Sequence, residues 1–205
     1  ADKTVNIDPF CGANTSTTIA GMPTVTDAED NCDSSVDIEI EHTDSAPVYT
    51  CDGSDGAAEG SYTFVRTFTI TGTDDCGNET VLTVTQNITA LELTEPTITA
   101  LPPMGTAKYA LDADCFADLA PTASPMAMAM DACDSDVAIT STYADSAPTY
   151  TCDGGDGEAE GSFTFTRTWT VTATDDCGNS TSQMISQAVV VSDAGAPSLS
   201  ATWPA

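Results

Sequence analysis

The sequence predicts an all-β chain of two tandem β-sandwiches. Three observations carry that prediction: a near-exact internal repeat, apolar residues alternating with period two, and a composition rich in Thr and Val. Segment 44–80 aligns with 145–181 at a constant offset of 101 without a gap, and 28 of the 37 positions are identical. Cys32, Cys51 and Cys76 map onto Cys133, Cys152 and Cys177 at the same offset. Cys11 maps onto Cys115 at 104, so the length change lies in the first inter-cysteine segment. Self-similarity at this period means two homologous domains. The first is expected at 1–95 and the second at 96–196, leaving 197–205 as a C-terminal strand for the next subunit.

The elements follow from local pattern. In the second repeat Met126, Met128 and Met130 alternate, which suits core positions of an early strand, although three thioethers so spaced also suit a soft metal. Along 62–71, Tyr62, Phe64, Phe68 and Ile70 share one face with Arg66 while Thr and Val occupy the other, a strand period. Residues 73–78 supply Asp, Gly and Asn for a turn, and Leu82, Val84, Gln86 and Ile88 alternate after it, completing a hairpin. Short strands, Pro- and Gly-rich connections and the lack of an amphipathic helix give two tandem immunoglobulin-like antiparallel β-sandwiches. Arg66 and Arg167 lie on the apolar register, with Gln86 and Gln187 in the matching register of the next strand. A buried guanidinium must be paired, so each Arg is expected to clamp a carboxylate or carbonyl near the hairpin with its Gln assisting.

Composition removes several function classes. With 32 acidic residues against 4 Lys and Arg, the formal net charge is -28, which repels nucleic acid and anionic lipid. No run approaches the ~18 apolar residues of a spanning helix. Residues 1–10 lack a charged start followed by an apolar stretch, so any export signal is expected to have been removed already. Catalysis is not expected: His42 is the single histidine, has no histidine counterpart in the second repeat, and reads as surface. No nucleophile, base and orienting group stand together, and the carboxylates are accounted for by repeated turns.

Eight cysteines in an acidic β-type chain imply disulfides made in an oxidising compartment, hence an extracellular or cell-surface protein. Zinc needs closer cysteine pairs than these. The preferred pairing is Cys11 with Cys32 and Cys51 with Cys76, repeated as Cys115 with Cys133 and Cys152 with Cys177. The competing choice joins Cys32 to Cys76.

The sets Asp30-Asn31-Cys32-Asp33, Arg66-Thr67-Phe68 and 73–78, with Gln86 and Pro96, recur as Asp131, Cys133, Arg167, Trp169, Cys177, Gly178, Asn179, Gln187 and Pro197. In these the chain resembles the hyalin-repeat-like immunoglobulin modules of secreted and cell-surface proteins. The resemblance implies an adhesive or structural role and names no ligand.

The repeat also stays in phase across the end of the chain: Cys115 follows Pro96 by 19 residues, and Cys11 of an appended copy would follow Pro197 by 19. Either the chain is a window of a longer array, or separate copies meet head to tail. In the second case Leu199, Ala201 and Trp203 would face into an acceptor sheet lacking a strand, with Ser198, Ser200 and Thr202 outward.

The loops carry further candidates. Asp52, Asp55 and Glu59, repeated as Asp153, Asp156 and Glu160, are oxygen donors on Gly-flexed loops and suit calcium, though their spacing is not that of an EF-hand. Asp27, Glu29, Asp30, Asp33, Asp74 and Asp75 could add to such a site. Sequons at Asn14, Asn78, Asn87 and Asn179 permit attached glycans, with Asn78, Asn87 and Asn179 expected to be accessible. The expected function is a structural subunit of an extracellular filament or adhesin stalk, assembled with itself head to tail by β-strand complementation, with no cofactor required. The alternative is a calcium-dependent or carbohydrate-binding surface module.

Overall fold

A computed structural model describes residues 2–8, 10–13, 15–51, 59–152 and 160–203. The first repeat contains β1 (Lys3–Asn6), a single helical turn α1 (Thr17–Ala20), β2 (Asp37–Asp44), β3 (Val48–Tyr49), β4 (Tyr62–Thr73) and β5 (Glu79–Leu91). The second contains β6 (Thr97–Ala100), β7 (Ala107–Ala110), β8 (Met128–Met130), β9 (Ala138–Asp145), β10 (Thr149–Tyr150), β11 (Phe163–Thr174) and β12 (Ser180–Ser192). The fold is all-β and immunoglobulin-like in its two repeated sheets, as the alternation and the repeat predict.

Each repeat builds one curled five-stranded sheet around its long hairpin: β1-β5-β4-β2 with β3 also on β4, and β7-β12-β11-β10 with β9 also on β11. The hairpins are antiparallel, but the first strand of each sheet is not: β1 runs parallel to β5, and β7 parallel to β12. The five-residue turn of each hairpin dictates direction only for the strands it joins. β1 and β5 are separated by a connection long enough to allow parallel pairing, and the purely antiparallel expectation is corrected there. A two-stranded sheet pairs β6 with β8.

The alternating faces behave as read. Phe64, Arg66, Phe68 and Ile70 are buried along β4, and Ile88 and Ala90 along β5. One core gathers Val5, Ile7, Ala20, Phe64, Ile88, Ala90 and Cys133; the other gathers Phe165, Val189 and Val191 with Tyr109, Leu111 and Leu119 packed around them. The methionine strand exists, but its register is opposite to that expected: Met126, Met128 and Met130 are exposed and the intervening alanines turn inward. Alternation fixes which residues share a face, not which face is covered.

The compact units are cut differently from the repeats. One comprises Ala1–Thr97 with Met130–Ala138 and Thr174–Ser180; the other comprises Ile98–Ala129, Ile139–Ala173 and Thr181–Ala205. The first unit thus contains two loops that belong, by sequence, to the second repeat.

Candidate functional site

Those two loops form the first candidate site. Each carries a cysteine bonded to the first repeat: Cys11 to Cys133, with Cα atoms 5.1 Å apart, and Cys51 to Cys177, with Cα atoms 4.9 Å apart. The within-repeat pairings Cys11–Cys32 and Cys51–Cys76 are therefore corrected, with their counterparts Cys115–Cys133 and Cys152–Cys177. The reason lies in the length of β4. Cys51 sits beside Ser61 at its start, whose amide donates to Cys51 Sγ at 3.2 Å, while Cys76 lies beyond its end. Twelve extended residues cover roughly 40 Å, against the ~4.4–6.8 Å that a disulfide allows between Cα atoms. The competing Cys32–Cys76 bond is also not made, although Asp33 Oδ2 accepts the amide of Asp75 at 2.7 Å and joins the two loops. Cys32, Cys76, Cys115 and Cys152 are free and exposed.

Backbone chemistry shapes the cysteine loops. Cys11 has a positive φ of 63°, held by Asp8, whose carboxylate accepts the amides of Phe10 and Gly12 at 2.9 and 2.8 Å. Gly60 has φ 74°, and a Cβ there would stand 3.0 Å from both Cys51 Sγ and Cys177 Sγ, so glycine is required beside this bridge. Asp131 Oδ1 accepts the amide of Cys133 at 2.7 Å, and Asp134 Oδ2 accepts that of Asp176 at 2.7 Å.

Acidic groups cluster around both bridges. Glu59 Oε1 accepts the amide and hydroxyl of Ser135 at 3.1 and 3.0 Å, and its ligand atoms lie within 4.8 Å of those of Asp134 and Asp176. Glu92, 4% exposed, accepts the amide of Thr94 and the side-chain amide of Asn179. Burial pushes the Glu92 carboxyl above its ordinary value, and burial does the same to Asp131. Of the calcium candidates, Asp52, Asp55, Asp153 and Asp156 lie outside the described residues; Glu59 is a hydrogen-bond acceptor, and Glu160 is exposed. Sequence reasoning named Asp131 only as part of the repeated motif and missed Glu92 and Asp134; Asp134 carried a signal as the acid following a repeated cysteine, whereas Glu92 stands beside no cysteine and carried none.

The arginines are structural clamps. Arg66 grips both oxygens of Asp44 at 2.7 Å through Nε and Nη2, and its Nη1 donates to the Thr15 carbonyl at 2.7 Å. Arg167 grips both oxygens of Asp145 through Nε and Nη2 in the same way, but it is Nη2 that also donates to the Leu119 carbonyl. The carboxylate is not near the hairpin turn: Asp44 is the direct cross-strand partner of Arg66 on β2. Gln86 and Gln187 bond other carbonyls, those of Ala20 and Gly105. Hydrogen bonding to Arg66 holds the Asp44 carboxyl below its usual value. His42 is exposed, as read, and its ring packs 5.8 Å from that of Phe68.

Of the sequons, Asn14 lies outside the described residues. Asn78 and Asn87 are exposed, whereas Asn179 is half-buried with Nδ2 donating to Glu92 and Asp175, which corrects the expected accessibility. A glycan would displace one of those hydrogens.

A second candidate site, towards the other end of β4, is a groove of about 500 Å³ in the first unit. It is lined by 23–30 and by apolar side chains that include Val36, Ile38, Ile70, Leu82 and Val84. At the 101-residue offset, lining residues 27–29 correspond to β8, the strand that holds β6. There Pro96 is fully buried and Ile98 is 7% exposed. Their counterparts are Pro197, exposed, and Leu199, 95% exposed. Trp203 is 96% exposed, and Ser198, Ser200, Ala201 and Thr202 are exposed with it.

No protein-family model matches the chain, and no curated protein is significantly similar to it. Among the described residues no helix is long and apolar enough to cross a membrane.

Proposed function

We propose that the protein is a non-catalytic structural subunit of an extracellular filament, built of hyalin-repeat-like modules and assembled head to tail by strand complementation. The segment 198–203 of one copy enters the groove of the first repeat of the next. One observation carries this reading: the strand that pairs with β8 and buries Ile98 in the second repeat has an exposed twin at 198–201, while the first repeat has an open groove lined by the twin of β8. Exposed strand-forming apolar segments and unfilled sheet edges are complementary. Donor and acceptor are different segments of one chain, so their association is heterologous, and a heterologous contact whose rotation does not close yields a fibre. The two disulfides fit an oxidising, extracellular setting.

Negative-stain microscopy tests the reading. The whole chain is expected to form thin fibres whose axial repeat is about two domains, and deletion of 198–205 is expected to leave dispersed particles. Equal polymerisation by the deleted chain would refute it. The calcium-dependent or carbohydrate-binding module rests on Glu59, Asp134 and Asp176; fibres that dissolve on chelation would move calcium into the contact.

A further inference from the structure

We infer that the four free cysteines are the two halves of an inter-copy disulfide pair: Cys115 of one copy bonds Cys32 of the next, and Cys152 bonds Cys76. This rests on the head-to-tail reading and specifies its chemistry. The two bonds seen within the chain join Cys11 and Cys51 of one repeat to Cys133 and Cys177 of the following one. Carried forward by one repeat, Cys11 and Cys51 become Cys115 and Cys152, while Cys133 and Cys177 become Cys32 and Cys76 of a following copy. The rule leaves these four cysteines unpaired in a single chain, and they are the four that are free.

Each free cysteine already holds the local geometry of its bonded twin. Cys115 has φ 59° against 63° for Cys11, with Asp112 accepting the amides of Asp114 and Phe116 as Asp8 accepts those of Phe10 and Gly12. The amide of Ser162 donates to Cys152 Sγ at 3.1 Å, as that of Ser61 does to Cys51 at 3.2 Å, and Gly161 repeats the positive φ of Gly60. Hydrogen bonding from Ser162 also holds the Cys152 thiol below its ordinary pKa, which favours the reactive thiolate. On the other side, Asp30 accepts the amide of Cys32 at 2.7 Å as Asp131 accepts that of Cys133. Asp33 binds the amide of Asp75 as Asp134 binds that of Asp176.

Burial separates one bonded cysteine from its free twin, while the neighbouring polar groups repeat. Cys133 is 4% exposed and belongs to the core of the first unit, whereas Cys32 is exposed. Glu92, which accepts from Asn179, has the counterpart Asp193, whose amide is anchored by Ser162 Oγ as that of Glu92 is by Ser61 Oγ. Asp193 is left to accept from Asn78 of the incoming copy. Glu160 stands likewise to Ser34, as Glu59 does to Ser135.

The chemistry needs an oxidant, and a small-molecule disulfide supplies it by exchange. One protein thiolate attacks that disulfide and expels a thiol; the second attacks the mixed disulfide and expels the other. Two protein S–H bonds and one acceptor S–S bond are lost. One protein S–S bond and two acceptor S–H bonds form, so protons and electrons balance.

The test is a non-reducing denaturing gel of the oxidised, assembled full chain, with microscopy of the same sample and mass mapping of its disulfide-linked peptides. We expect a ladder of chain multiples that collapses on reduction, with Cys32–Cys115 and Cys76–Cys152 peptides. C32S or C76S alone keeps the ladder and the doubly substituted chain loses it. Fibres that run wholly as single chains overturn the covalent link and leave the filament standing; absence of both fibres and ladder overturns both. Cross-links joining Cys32 to Cys76, Cys115 to Cys152, or like to like, overturn the assignment.

Discussion

Arg66 and Gly60 show how single positions govern this fold. Arg66 is 3% exposed and held by Asp44, so Asp44→Ala leaves a buried cation unpaired. Because the Asp44 side chain is 35% exposed, we expect a loss of about 2–3 kcal/mol in urea unfolding, below the ~3–5 kcal/mol of a fully buried pair. Gly60→Ala adds a Cβ 2.8 Å from the Cys51 carbonyl at positive φ, and should cost about 1–3 kcal/mol while leaving Cys51 and Cys177 reactive to a thiol reagent. Two groups shape the pH profile in opposite senses. Asp44 has its pKa lowered from 3.8, chiefly by the hydrogen bond from Arg66, so its contribution is present above 3.8 and lost as pH falls through the lowered value. Glu92 has its pKa raised from 4.5 by burial, so its penalty is absent below 4.5 and complete once pH rises past the raised value. As pH falls, unfolding midpoints should rise from neutrality to about pH 4.5 and fall below about pH 3.8. Glu92→Gln should flatten the neutral side and Asp44→Asn the acid side. The Arg registers were legible because an odd charge in an apolar alternation stands out, whereas Asp44, at a strand terminus, carried no such mark.

At the level of elements, period two located β4, β5, β11 and β12 because both faces of a long hairpin write themselves into the sequence. The methionine strand was found but turned over, since which face of a short strand is covered depends on a neighbour the local pattern does not contain. The cysteine pairing was misread for a related reason: repeat boundaries suggest that bonds stay inside a repeat. The hairpin's own length separates Cys51 from Cys76 and rules that out. The groove in turn is lined by 23–30, β2, β4 and β5, segments distant in sequence whose meeting no local pattern announces. Leu82 lines it and is 57% exposed, so Leu82→Glu should block entry of 198–203 and abolish fibres while moving the unfolding midpoint of the monomer little. Circular dichroism and microscopy on one sample check both halves of this expectation.

For the molecule as a whole, a charge of -28 on 205 residues would keep neighbouring copies of the proposed filament apart while short-range strand pairing acted along its axis. Raising ionic strength from about 0.01 to 0.15 M shortens the screening length from ~30 to ~8 Å. We therefore expect faster end-to-end growth and lateral bundling, read as increased light scattering, with no change in the linkage pattern. The bonds of the first unit span 122 and 126 residues of sequence. A ribosome emits the chain from its N-terminus, so Cys11 and Cys51 emerge long before Cys133 and Cys177 exist. Contacts of such separation are slow to form, and the first repeat must wait, half-made, with two unpaired thiols, until the second has left the exit tunnel. Whatever accompanies this chain as it folds therefore has to shield those thiols through most of its synthesis.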